Sequence, residues 1–213
     1  MSETERWINK AALFELLATS FAFTSEEAVA ALVAGDYAEA LKEIGSLNGM
    51  EGSFLDKQAS ALAEYVGRDE SDVLHRLRKE HTRLFVGGAK PLISPYAGVW
   101  DAQENGRPEL LMVNAESMAI ERFMRRCGIG QPAGTNEPLD HIASLLEFLY
   151  YLCLVKAEAV QPPSHADVRD EDYNLFFDAH VAAFARALGA SVEEASREPF
   201  FTCAARVLLQ LKR

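Results

Sequence analysis

The chain has 213 residues, 49% of them hydrophobic and 25% charged, which is enough apolar material for a core and too much for a disordered chain. Its 32 acidic residues outweigh 21 basic ones, giving a net charge of −11 that speaks against a nucleic-acid partner, since phosphate binding needs clustered Lys and Arg. The N-terminus lacks a signal-peptide pattern, and three scattered cysteines fit a reducing cytosol rather than a disulfide framework, so a cytoplasmic location is expected.

In chain order, the spacing of apolar residues predicts helices nearly throughout, and no run alternates as a half-buried strand would. The first covers 4–21, with Phe14, Leu17 and Phe21 on its apolar stripe. The pattern 24–27, Thr-Ser-Glu-Glu, reads as a capping box opening a second helix that Gly35 ends, and Asp36 caps a third. A fourth runs to Gly67, and Asp69 opens a fifth through Leu77 and Leu84.

Composition then changes. Between Gly87 and Pro108 there are three prolines and four glycines in 22 residues, which predicts an ordered but irregular loop holding Leu92, Tyr96 and Trp100. Asn114 caps a sixth helix that Gly128 stops, and a second loop leads to a strongly apolar seventh helix. The stretch 142–155 is 14 residues long and contains Glu147, too short to span a bilayer, so no direct membrane insertion is expected. Two further helices, over 170–188 and from 196 to the end, complete an all-α, single-domain bundle (1–213) of about nine helices.

Two segments stand out. In Glu137-Pro-Leu-Asp-His141 the proline favours the first helical position, which places Glu137 at the N-cap and Asp140 at N3, where it caps its own helix, with His141 partly exposed at N4. At the end of the fifth helix, Glu80 and Arg83 are spaced to pair, and Leu84 and Phe85 lead into the loop. The loop either packs as structure or presents Tyr96 and Trp100 as part of an apolar peptide groove. No nucleophile elbow, no HExxH, no ligand pair at metal spacing and no phosphate loop occurs, so no catalytic residue, metal or cofactor is assigned.

Glu80-x-x-Arg83-Leu84-Phe85-x-Gly87, Pro95-Tyr96-x-x-Val99-Trp100 and Glu137-Pro138-x-Asp140-His141, in this order, resemble the TorD/DmsD family of redox-enzyme maturation chaperones. The pattern Phe177-x-x-His180-Val181 and the closing Phe200-Phe201 helix add weaker echoes. The family's sequences usually carry prolines where Gly88 and Ser94 stand, which loosens the loop here and bears on partner choice.

The resemblance implies a cytoplasmic, non-enzymatic chaperone that binds the twin-arginine signal peptide, or the apo form, of a molybdenum-cofactor oxidoreductase of the dimethyl-sulfoxide-reductase type. It implies peptide-binding roles for Leu84, Phe85, Tyr96, Trp100, Pro138, Asp140 and His141, with Glu80, Arg83 and Glu137 beside them. Asp140, Glu137 or Glu80 would pair with the peptide's arginines. Alanine at Asp140 or His141 is then expected to weaken binding with little loss of stability. The alternatives are a helical assembly factor that grips the folded partner and a nucleotide-binding protein, which the missing phosphate loop disfavours. Both a monomer and a domain-swapped homodimer, hinged at 86–113 or 129–137, fit the resemblance.

Overall fold

The computed structural model describes residues 1–88, 90–107, 114–131 and 138–212. Together the described residues form ten helices and no strand, as expected of an all-α chain. These are α1 (Glu3–Phe21), α2 (Glu26–Ala34), α3 (Asp36–Leu47), α4 (Gly52–Leu62), α5 (Glu70–His81), α6 (Ala97–Glu104), α7 (Ala115–Arg126), α8 (Ile142–Lys156), a run α9 (Asp172–Phe176) to α10 (Ala182–Ala195) joined through Phe177–Val181 and counted once, and α11 (Pro199–Leu208).

Local chemistry sets most of the boundaries. Ser2 and Glu5 form a reciprocal capping box on α1. Asp69 and Asn114 each accept the amide three residues on, from Asp72 and Ser117. Gly35 takes a left-handed φ of 94° between α2 and α3, a conformation that costs glycine little.

The core forms around α8. This helix buries Ile142, Ala143, Leu145, Leu146, Phe148, Leu149, Leu152 and Cys153, residues that cover more than half of its circumference, so it is central to the core. Its most extensive pairing is with α1, and α11 packs on both α1 and α10. The run Asp172–Ala195 is the one helix of the described residues long and apolar enough to cross a membrane by length and composition; 44% of its most apolar window is buried in the bundle, as in a core helix.

The helix count exceeds the expected nine because the segment 87–108 is not irregular throughout: α6 lies inside it. Its flanking prolines and glycines punctuate a short helix instead of preventing one. Two caps shift by one residue: Ser25, not Thr24, accepts the α2 amide of Ala28, and Gly35, not Asp36, precedes α3. The run that begins at Asp172 continues to Ala195, past the expected end at 188.

Two turns of π-helix interrupt the regular ladder, at Thr82–Val86 and Phe177–Val181. The first closes with the Gly87 amide donating to the Thr82 carbonyl at 2.7 Å. An inserted residue of this kind rotates the side chains after it, and such turns concentrate at functional sites.

Candidate functional site

The π-turn places Leu84 and Phe85 at the base of the chain crossing from α5 to α6. The Ile93 amide donates to the Leu84 carbonyl at 2.9 Å, which ties Ile93 back to the π-turn. A few residues on, this extended crossing meets the entry to α8. The Ala97 amide donates to the Asp140 carbonyl at 3.0 Å, and the Ile142 amide donates to the Pro95 carbonyl at 2.8 Å. Tyr96 and His141 are thereby paired as an isolated antiparallel bridge, with their rings edge to face at 5.3 Å. The two segments singled out in the sequence are thus one junction.

The helix start differs from the sequence expectation. α8 begins at Ile142, with His141 as its N-cap: Nδ1 accepts from the Ala143 amide at 3.1 Å. Leu139 and Asp140 form a turn before it, and Glu137 lies outside the described residues. Pro138 is half-buried, and its carbonyl accepts from the His141 amide at 3.4 Å. Asp140 therefore does not cap its own helix. Its Oδ2 accepts from the Gly98 amide at 2.9 Å and from the Ser117 hydroxyl at 2.7 Å. Gly98 sits in the first turn of α6 and Ser117 in the first turn of α7, so one carboxylate serves the N-termini of two other helices.

Gly98 makes this approach possible. A Cβ there would lie 2.2 Å from Asn114 Nδ2 and 2.4 Å from Ser117 Oγ, overlapping the cap of α7. Asp140 is 1% exposed, and its other oxygen, Oδ1, is buried without a hydrogen-bond partner. Burial pushes its carboxyl above the usual range, the bonds from Ser117 and Gly98 oppose this, and the charge of nearby Glu116 adds to it.

His141 is 8% exposed, contrary to the expected partial exposure. Burial, then the neighbouring His81, depresses its pKa to about 4, so the ring is neutral near pH 7. His81, likewise lowered by burial, stands among the rings of Phe23, Phe85 and Phe201.

Glu80 and Arg83 pair as expected, bidentately, at 2.7 Å through both Nε and Nη2. Their other bonds go to the α10–α11 link. The Arg197 amide donates to Glu80 Oε1 at 2.7 Å, and Arg83 donates to the Ala195 carbonyl at 2.6 Å. This pair pins the end of α5 to the α10–α11 link. Burial raises the Glu80 carboxyl, but Arg83 and the Arg197 amide outweigh it and hold it below the usual range. Its oxygens are taken, so it is not a free partner for an incoming arginine.

Trp100 is half-buried one turn beyond Tyr96, donates from Nε1 to the Ser94 carbonyl at 2.7 Å and lies 6.1 Å from the Phe184 ring. Leu84 and Phe85 are buried. Most of the expected groove walls thus pack into the bundle, and Tyr96 and His141 pack on each other. What remains exposed beside them is Phe23, Val86 and Leu92, each more than half accessible. Spacing and composition do not single out Phe23, Val86, Gly98 or Ser117. Only Ser117 carries a local signal, as the residue three beyond the Asn114 cap. Among the described residues no cluster of His, Cys, Asp or Glu could hold a metal ion.

A family model described as Nitrate reductase delta subunit matches residues 53–189, more than half of the chain, and that span takes in both segments of the junction. The chaperone protein TorD of Shewanella pealeana is 24% identical over 161 residues, 75% of this chain and 67% of that protein. TorD of Vibrio vulnificus strain YJ016 is 22% identical over 164 residues, covering 75% and 72%. TorD of strain CMCP6 gives the same figures.

Proposed function

The chain belongs to the nitrate reductase delta subunit family, with TorD chaperones among its relatives, and from that premise we propose a non-enzymatic chaperone of the cytoplasm that assists maturation of a molybdenum-cofactor oxidoreductase. Its recognition target is the partner's twin-arginine signal peptide, and the partner is of the dimethyl-sulfoxide-reductase type. The observation that carries this reading is the junction itself. The two segments that resemble the family's peptide-binding signature, remote in sequence, are joined by paired backbone hydrogen bonds at Tyr96 and His141.

The chemistry is compatible with such a target. A leader of this type presents two arginines and then an apolar run. Phe23, Val86 and Leu92 supply exposed apolar surface, and Asp140 at the junction supplies a buried carboxylate. Apolar contact gives affinity, and a carboxylate that accepts a guanidinium on both oxygens gives direction.

Isothermal titration tests the reading with a synthetic peptide carrying an Arg-Arg pair and then a run of alternating Leu and Ala residues. Saturable binding is expected, reduced at least tenfold by Val86→Asp or Leu92→Asp at unchanged thermal stability, because both side chains are exposed. Absence of binding, or undiminished binding in both variants, overturns it. A mature partner enzyme without its leader, binding more tightly than the peptide, would favour a grip on the folded protein instead.

A further inference from the structure

The buried carboxylate of Asp140 stands apart from the clefts along α1 and from the His180–Glu116 pair in the second π-turn, because it lies inside the candidate site. Its hydrogen bonds and its burial both stand against the role proposed for it. A residue proposed to receive an arginine is 1% exposed and already engaged.

We propose that Asp140 is a latch, held shut by Gly98 and Ser117, and that an arginine side chain of the bound peptide opens it by taking over the carboxylate. This deepens the functional reading above and rests on it. The geometry makes the exchange favourable in kind. In the closed form both donors reach Oδ2, and Oδ1 is buried with no partner. Buried polar atoms are rarely left so, because each unmet bond costs stability. A guanidinium presents two parallel N–H groups and would satisfy both oxygens at once, with charge-assisted bonds replacing neutral donors.

The element that moves is specified by the same contacts. α6 is tied to the α8 entry through Asp140 by the Ala97 and Gly98 amides, and to α7 by close packing at Gly98. Release of Oδ2 removes the one acceptor that the starts of both helices share, and leaves α6 held by the Ala97 amide and α7 by its Asn114 cap. The opening also bares Tyr96 and Trp100, which flank Ala97 and Gly98 in the chain and are half-buried in the closed form. Ser117 and Gly98 are therefore positioning residues that set how readily Asp140 becomes available.

Hydrogen exchange on the full chain, free and with the Arg-Arg peptide, tests the latch. In the free protein, Ser117→Ala and Gly98→Ala should each speed exchange of the α6 amides at least fivefold relative to the amides in the middle of α8. Peptide binding to the parent protein should speed exchange at the start of α6, the reverse of the protection a ligand usually confers. Ser117→Ala should bind the peptide about fivefold more tightly, since one bond opposing release is gone. Asp140→Asn, which keeps an acceptor for Gly98 and loses the charge, should bind at least tenfold more weakly with α6 exchange little changed. Unchanged α6 exchange in both free variants overturns the latch whatever the peptide does, as does slowed α6 exchange in the complex. A peptide that binds none of these proteins overturns the functional reading, and the free-protein exchange still decides whether Asp140 holds α6 on α7.

Discussion

Two buried carboxylates flank the candidate site, and the fold uses them differently. Glu80 accepts from Arg83 twice and from the Arg197 amide, so both oxygens are satisfied. Removing it strands a partly buried guanidinium and an amide. Glu80→Ala should therefore lower unfolding free energy by roughly 3 kcal/mol, read from urea denaturation. A change below the error of that measurement would show the pair to be incidental. Asp140 has one satisfied oxygen and ties together three helix starts. The sequence-level expectation that Asp140→Ala or His141→Ala leaves stability nearly intact is accordingly replaced: both side chains are buried and bonded, and both truncations should destabilise.

His141 gives the site a pH signature. Its pKa of about 4 lies below the ordinary value near 6.5, so between these values the unfolded chain binds a proton that the native chain does not. Stability attributable to this group is full above about pH 6.5 and is lost as pH falls towards 4, on the order of 3 kcal/mol across the window. His81, lowered by burial, acts in the same direction. Asp140, raised by burial, acts in the opposite one. Thermal melts should thus show the midpoint falling from about pH 6.5 to about 4.5. In His141→Asn, which can still cap α8 but does not titrate, that fall should be shallower. An identical slope in parent and variant would remove His141 as its source.

At the scale of elements, the apolar helix α8 supplies the frame and α6 the adjustable part. Leu149 is fully buried at the centre of α8, and Leu149→Ala should cost about 3 kcal/mol in chemical denaturation. Gly98→Ala should behave otherwise. The nearest atoms to its Cβ belong to Asn114, which caps α7, and to Ser117 in the first turn of α7, so the strain falls on the α6–α7 contact rather than on the core. A loss of stability as large as that of Leu149→Ala would place Gly98 in the core's cooperative unit and argue against a separable α6. The helix boundaries legible in sequence are those fixed by neighbours: Asp69 with Asp72, Asn114 with Ser117, and Gly35 through its own backbone. The cap of α8 is not legible in this way. Pro138 favours a helix start, whereas the bridge to 95–97 holds 138–140 in a turn and delays the helix to Ile142.

For the whole molecule, the balance of 32 acidic against 21 basic residues sets the approach of a cationic peptide. Binding of the Arg-Arg peptide should weaken as salt rises from about 0.05 to 0.5 M, because exposed charges are screened over a Debye length of about 10 Å at 0.1 M. Binding that ignores salt would leave only the apolar contacts at Phe23, Val86 and Leu92. Sequence by itself determined the helical class, the caps at Asp69 and Asn114 and the family signature at Leu84–Phe85, Tyr96–Trp100 and Pro138–His141. Each of these depends on residues a few places apart. Only the tertiary structure decided that Asp140 serves Gly98 and Ser117, 42 and 23 residues away, that Glu80 is occupied by the 195–197 link, and that His141 is buried. A carboxylate's partners are chosen by which helix ends the packing of the core brings to it, and no local spacing records that choice.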